Sequence, residues 1–395
     1  MPISIAILLP LLASIVAITP LAVDLYLPAM PVIASHFDTS IATIQNSLSI
    51  YLAGYACGLL IFGPLADKIG RRKLAIIGLL LFSTMSFVLP LVENAEHFII
   101  VRFFQAFFGS AATVVVPGVI KQFYGDNTAK GMSYVSMIMM FAPMLAPTIG
   151  SAIMILINWQ AMFYFLGGYS LLIAIFSITL LPETNINRKA NKQLSFLANY
   201  KIVFTHKPAQ KYILTSMLVS LAFFAYLTAI PFVYLEVFNT SEFVFSFLFG
   251  INVVALMIAQ LINTRLVSKL GSEKMLRYGF FVGLTSAILL VLVNALHWSL
   301  FWTVICVMPL MGSLSLIAVN ADSLILLSFD NQTGTATAVI GTLRFGIGAL
   351  AGPILAYFHN DSSLPFTILM LVAMLLVGLC HIPSLYKIYV NKRLN

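Results

Sequence analysis

Charge is what this chain has least of. Only 9% of its 395 residues are Asp, Glu, Lys or Arg, against about a quarter in soluble domains. Hydrophobic residues make up 61%, and mean hydropathy is +1.01. This excludes an ordinary soluble globule and leaves an integral membrane protein. Cysteine is scarce too. Cys57, Cys306 and Cys380 all lie inside apolar stretches, where each reads as a small hydrophobe; neither a disulfide nor a thiolate metal site is implied. The six His are scattered over span ends and loops. The chain has no glycine-rich phosphate loop, catalytic triad or metal-ligand cluster. The expectation is therefore a non-enzyme without cofactor or metal.

What the chain has is long apolar runs. A spanning helix needs about 20 apolar residues. The blocks between polar punctuation predict an all-α membrane protein of twelve transmembrane helices, near 5–31, 41–65, 73–91, 97–120, 131–156, 160–181, 211–235, 243–267, 277–296, 298–326, 335–357 and 364–386. The first block is long and has no small-residue cleavage site, so it reads as a retained span, not a signal peptide.

The net charge of +8 does not point to nucleic acid, because of where the bases lie. All 21 Lys and Arg except Arg102 and Arg344 fall on one face of the alternating topology. The opposite loops carry His36, Asp38, Glu93, Glu96, Glu236, Glu242 and Asp361 and no base. The positive-inside rule then places both termini in the cytoplasm. The bases themselves read as topology signals and lipid headgroup contacts.

A polar stretch at roughly 183–208 divides the spans six and six. The expected organisation is a six-helix bundle at 1–185, a cytoplasmic linker at 186–208 and a second six-helix bundle at 209–395. Residues Thr264–Lys274 can be laid on Gly63–Lys73, so that Lys269, Leu270, Gly271 and Lys274 fall on Lys68, Ile69, Gly70 and Lys73, and Ser268 on Asp67. This faint repeat fits two bundles related by an axis along the membrane normal, with a site between them.

Few ionisable residues lie deep in the spans: Asp24, Arg102, Asp322 and Arg344. Each costs about 2.5–3.5 kcal/mol at mid-membrane on insertion scales, so each needs a partner or a wet cavity. Asp24 and Arg102 sit near the outer ends of the first and fourth spans, both about 9–11 Å below the surface at 1.5 Å per residue, and are expected to pair. An acid that alternates between an arginine and an apolar wall takes a proton in one setting and releases it in the other; a static salt bridge is the rival. Arg102, Gln105, Gly109 and Thr113 share one polar, small face directed into the bundle, while the neighbouring phenylalanines face lipid or other helices. Asp322 lies nearer the cytoplasm than Arg344. Their pairing would require Arg344 to snorkel and would lock the C-terminal half or bind an anionic group.

Five strings carry a family resemblance. Between the second and third spans, Gly63-Pro64-Leu65-Ala66-Asp67-Lys68-Ile69-Gly70-Arg71-Arg72-Lys73 forms a short, charged surface hairpin whose Gly and Pro allow a tight turn. It resembles the loop between helices two and three of the major facilitator superfamily. The fourth-span string from Arg102 resembles that superfamily's Arg-Gln-Gly motif, with Ala106 where Gly is usual. In the fifth span, Ala142-Pro143-Met144-Leu145-Ala146-Pro147-Thr148-Ile149-Gly150-Ser151 resembles its antiporter motif: Pro147 and Gly150 fit, and Ala146 and Ser151 replace glycines. Its small residues also suit a plain helix-packing seam. Asp24-Leu25-Tyr26-Leu27-Pro28-Ala29-Met30-Pro31, the Ala-Pro-x-x-Ala-Pro string and the run from Gly334 to Ala338 together resemble the Bcr/CflA drug-resistance branch of the drug:proton antiporters. The resemblance covers essentially the whole chain.

The resemblance implies a bacterial inner-membrane exporter that exchanges a small amphipathic drug or metabolite for protons by alternating access. Asp24 would carry the proton, and Arg102 would modulate it. Gly63, Asp67, Gly70, Arg71 and Arg72 would form a cytoplasmic latch, with Asp67 approaching the start of helix eleven near Gly334. Pro143, Ala146, Pro147 and Gly150 would form the antiporter motif. Tyr26, Tyr51, Tyr55, Gln105, Gly109, Phe223, Tyr226, Phe232 and Tyr234 would lie toward the central cavity, where aromatics suit varied amphipathic ligands. The partners are then the substrate, protons and membrane lipids, without nucleic acid, and the protein is a monomer. Other readings are a dedicated exporter of one metabolite, such as a siderophore, sugar or nucleoside, or a lipid-handling membrane protein.

Overall fold

The computed structural model describes residues 5–124, 135, 141–183, 203, 205–329 and 333–394; side chains are not described at 5, 6, 64, 67, 68, 121, 144, 268, 326, 333–338 and 382–394. All regular structure among the described residues is helical. In chain order the helices are α1 (Ile5–Asp24), α2 (Met30–His36), α3 (Ile41–Ile69), α4 (Arg71–Val88), α5 (Ala95–Thr113), α6 (Val116–Tyr124), α7 (Phe141–Leu156) and α8 (Gln160–Leu180). Then come α9 (Lys207–Pro231), α10 (Glu242–Leu270), α11 (Ser272–Ala295), α12 (Leu300–Leu327), α13 (Thr333–Gly348), α14 (Ala351–Tyr357) and α15 (Leu364–Leu394). Among the described residues, eleven helical segments are long and apolar enough to cross a membrane, and α7 is a shorter apolar helix at the place expected for the fifth span.

The first span is not one rod. Pro28 has no amide hydrogen to donate to the carbonyl of Asp24, and its ring clashes with a continuing helix. So α1 stops at Asp24, a 3₁₀ turn runs over Leu27–Ala29, and α2 restarts at Met30 with Pro31 in its first turn. A proline in the first turn of a helix costs no hydrogen bond. The expected hairpin at Gly63–Lys73 is corrected in the opposite sense. Helix α3 runs on through Gly63 and Pro64 to Ile69, and the whole turn is one residue, Gly70, at φ 100° and ψ 140°. Only glycine adopts that conformation readily. Gly271, which the repeat lays on Gly70, joins α10 to α11 at φ 81° and ψ 155°.

The chain divides into two compact units. One comprises Met1–Gln193 with Tyr234–Gly250; the other comprises Leu194–Val233 with Ile251–Asn395. The first third of α10 therefore belongs with the N-terminal unit, in which Ser246 Oγ donates to the carbonyl of Pro147 at 3.0 Å and shares a 2.6 Å hydrogen bond with Ser151 Oγ. The expected linker at 186–208 lies mostly outside the described residues. In the N-terminal unit α5 packs between α3 and α4, and α8 packs on α4. In the C-terminal unit α9 is the central helix, packed by α12, α13 and α15.

Candidate functional site

Asp24 is placed by the break in the first span. It is the last residue of α1, it is 3% exposed, and its Oδ1 has no hydrogen-bond partner among the described residues. A helix leaves its last carbonyls without intrahelical donors. Arg102 of α5, 0% exposed, serves one of them: its Nη2 donates to the carbonyl oxygen of Ala22 at 3.0 Å. Its Nη1 donates to Gln105 Oε1 at 2.6 Å, Gln105 Nε2 donates to Ser86 Oγ at 2.7 Å, and Ser86 Oγ donates to the carbonyl of Phe82 at 2.8 Å. This chain ties α1, α5 and α4 together.

No ion pair or hydrogen bond joins Asp24 to Arg102 among the described residues. The guanidinium is instead sandwiched: its carbon lies 4.4 Å from the ring centroid of Tyr26 and 4.4 Å from that of Tyr51, with Phe163 at 5.9 Å. Desolvated cation–π contacts are worth about 2 kcal/mol. Two ring faces and a carbonyl thus hold the cation that Asp24 was expected to hold. The sandwich was not foreseen. Its sequence signal was present as two tyrosines at the depth of a buried arginine, but three helices must meet before it can be read.

The antiporter string abuts the same break. On α7, Ala146 is fully buried and Pro147 lies within the helix, as Pro143 does near its start. Gly150 faces the carbonyl oxygen of Leu25 so closely that a Cβ has no space. The seam therefore runs along the break in the first span that follows Asp24.

Around the Gly70 turn, the amide of Arg71 donates to Glu183 Oε1 at 3.1 Å and its Nη1 donates to the carbonyl of Gly118 at 3.0 Å. Arg72 Nη2 donates to the carbonyl of Ile178. Both bases are anchored on carbonyls of the N-terminal unit. Glu183, not foreseen, places a carboxylate at the N-terminus of α4, where the helix dipole favours it. The Asp67 side chain lies outside what the structure describes; Gly63 sits within α3, and Gly334 in the first turn of α13.

Most of the aromatics assigned to a cavity are buried, with neighbours in their own unit. In the N-terminal unit, Tyr26, Tyr51 and Gln105 are fully buried in the Arg102 cluster. Tyr55 OH shares a 2.7 Å hydrogen bond with Thr113 Oγ1. Gly109 admits the ring of Phe82, and Tyr234 packs against Phe245. In the C-terminal unit, Tyr226 OH accepts from Asn252 Nδ2 at 2.7 Å, Phe232 rests on His359, and half-buried Phe223 touches Phe224.

The second charged couple is brought together. Arg344 Nη1 donates to Asp322 Oδ2 at 2.9 Å. Ser216 Oγ of α9 donates to Asp322 Oδ1 at 2.8 Å, and Arg344 Nε donates to Ser220 Oγ at 3.2 Å. The sequence carried no hint that two serines one helical turn apart would seat the pair.

Comparison with known proteins agrees with this architecture. The family model of the Major Facilitator Superfamily matches residues 12–353. The bicyclomycin resistance protein homolog of Haemophilus influenzae is 30% identical over 375 residues, covering 94% of this chain and 92% of that protein. A chloramphenicol resistance protein of Pseudomonas aeruginosa is 26% identical over 91% of this chain and 86% of its own. The multidrug resistance protein MdtL of Klebsiella pneumoniae is 34% identical over 172 residues, 43% of this chain and 44% of that one. Among solved structures, the nucleoside transporter NupG superposes with a TM-score of 0.74 at 13% identity, covering 94% of this chain and 98% of that one. The xylose transporter XylE of E. coli gives 0.72 at 14%, covering 95% of each. At those identities the likeness is one of fold. With a family model spanning most of its length and a relative aligned nearly end to end, the chain belongs to the Major Facilitator Superfamily, in its Bcr/CflA drug-resistance branch.

Proposed function

We propose that this multi-pass protein of the bacterial inner membrane exports small amphipathic molecules in exchange for protons, by alternating access. The observation that carries the reading is Asp24. An acid locked in an ion pair keeps its charge through a cycle, whereas Asp24 is buried at the break in the first span and pairs with no base among the described residues. Intramembrane acids of this kind mark proton and substrate pathways. Arg102, held against the carbonyl of Ala22 two residues before Asp24, is a fixed cation that the acid approaches when the break at Leu25–Ala29 moves.

The names of the relatives support drug efflux, since they are resistance proteins for bicyclomycin, chloramphenicol and multiple drugs. Twelve spans, two six-helix bundles at 1–185 and 209–395 joined by a cytoplasmic linker, and cytoplasmic termini complete the proposal. They are supported by the distribution of bases and by the matched Gly70 and Gly271 turns. The Gly63–Arg72 segment acts as a cytoplasmic latch, and the protein works as a monomer. The test is proton release from purified protein in weakly buffered detergent when compounds of a drug panel are added. Release on addition of a bound compound supports exchange; binding without release at any pH contradicts it.

A further inference from the structure

Beyond the Asp24 region, the C-terminal unit holds among its described residues a charged pair deep inside its spans that the proton cycle does not use: Asp322 and Arg344. We propose that Arg344 is a substrate-reading residue. Its Nη2 would donate to an oxygen acceptor on a solute of no net charge, and Asp322, Ser216 and Ser220 would hold it in place. The inference rests on the transport reading above and deepens it.

The ring of contacts is specific. Asp322 spends one oxygen on Ser216 and the other on Arg344 Nη1, and Ser220 takes Arg344 Nε while donating its own hydroxyl to the carbonyl of Ser216 at 2.7 Å. Arg344 Nη2 makes no hydrogen bond among the described residues, so its two N–H groups are open. The guanidinium and carboxylate side chains are 39% and 24% exposed. Asp322 lies five residues from the end of α12 and Arg344 eleven from the start of α13, both inside apolar helices. Charges exposed at such depth face water, not hydrocarbon. The result is a wet, membrane-embedded patch with a free planar donor.

The chemistry of the ligand follows. Asp322 cancels the charge of Arg344, so the patch has no net attraction for an anion. Both carboxylate oxygens are engaged, so a lipophilic cation gains little there. A neutral or zwitterionic solute with a carbonyl, hydroxyl or carboxylate oxygen gains a charge-assisted hydrogen bond. Lysine cannot replace this geometry, because its ammonium would be spent on Asp322.

The experiment measures equilibrium binding to the full-length protein in lipid nanodiscs. Two probes are used: chloramphenicol, neutral with amide and hydroxyl oxygens, and ethidium, a permanent cation without oxygen. Arg344→Lys should weaken chloramphenicol about ten- to a hundredfold, the worth of a hydrogen bond to a charged group, and leave ethidium within about twofold. Ser220→Ala, which removes only the Nε bond, should weaken chloramphenicol by a few-fold and spare ethidium; it carries the test if the lysine variant does not fold. Equal losses for both probes, or unchanged chloramphenicol, would overturn the role of Arg344 and leave the efflux reading standing. A wild-type protein that binds neither probe would overturn both.

Discussion

Gly150 of α7 lies against the backbone carbonyl of Leu25 with no room for a side chain between them. Leu25 follows the last residue of α1, so the fifth-span motif closes on the point where the first span breaks. Gly150→Ala must push the two backbones apart. The expected cost is about 1–3 kcal/mol, seen as a lower unfolding midpoint in detergent together with reduced export. Gly168→Ala, at an exposed position with nothing within 4 Å, should leave both unchanged.

The Arg102 sandwich makes a second expectation. Tyr51→Phe keeps the ring face and should retain most stability. Tyr51→Leu removes one face of the cage and should cost about 0.5–2 kcal/mol. Thermal unfolding of the two variants side by side checks this. Equal midpoints would mean that the ring face does not hold the cation.

The glycine turns allow a matched comparison. Gly70 has φ 100° and faces the carboxylate of Glu183, with a built Cβ 2.7 Å from Oε2; Gly271 has φ 81° and open space. Alanine at either position is strained by about 1–3 kcal/mol. Gly70→Ala should be the worse of the two, because it also displaces the carboxylate bonded to the amide of Arg71. Unfolding midpoints in the order wild type, Gly271→Ala, Gly70→Ala are expected.

Much of this was legible before any coordinates. The apolar blocks marked the spans because hydrocarbon admits few other side chains, and the repeat that lays Gly271 on Gly70 falls on two glycine turns that are both at positive φ. The polar face of Arg102, Gln105, Gly109 and Thr113 is buried as its periodicity required. What sequence did not supply was azimuth. Depth counted along two helices puts Asp24 and Arg102 at one level without saying which way either points, and Arg102 turned to Tyr26, Tyr51 and the Ala22 carbonyl. Counting from helix ends separated Asp322 from Arg344 because it ignores how helices lean. The run of α3 through Gly63 and Pro64 was missed because turn-forming residues inside a long apolar helix are overruled by its packing against α5.

The central claim is that proton movement through Asp24 drives export. Its most direct measurement is chloramphenicol transport in proteoliposomes under an imposed pH gradient, comparing wild type with Asp24→Asn, which keeps the shape and removes the titration. Gradient-driven accumulation by the wild type, with the variant still binding chloramphenicol but accumulating none, is the predicted result. Full gradient-driven accumulation by Asp24→Asn would contradict the account.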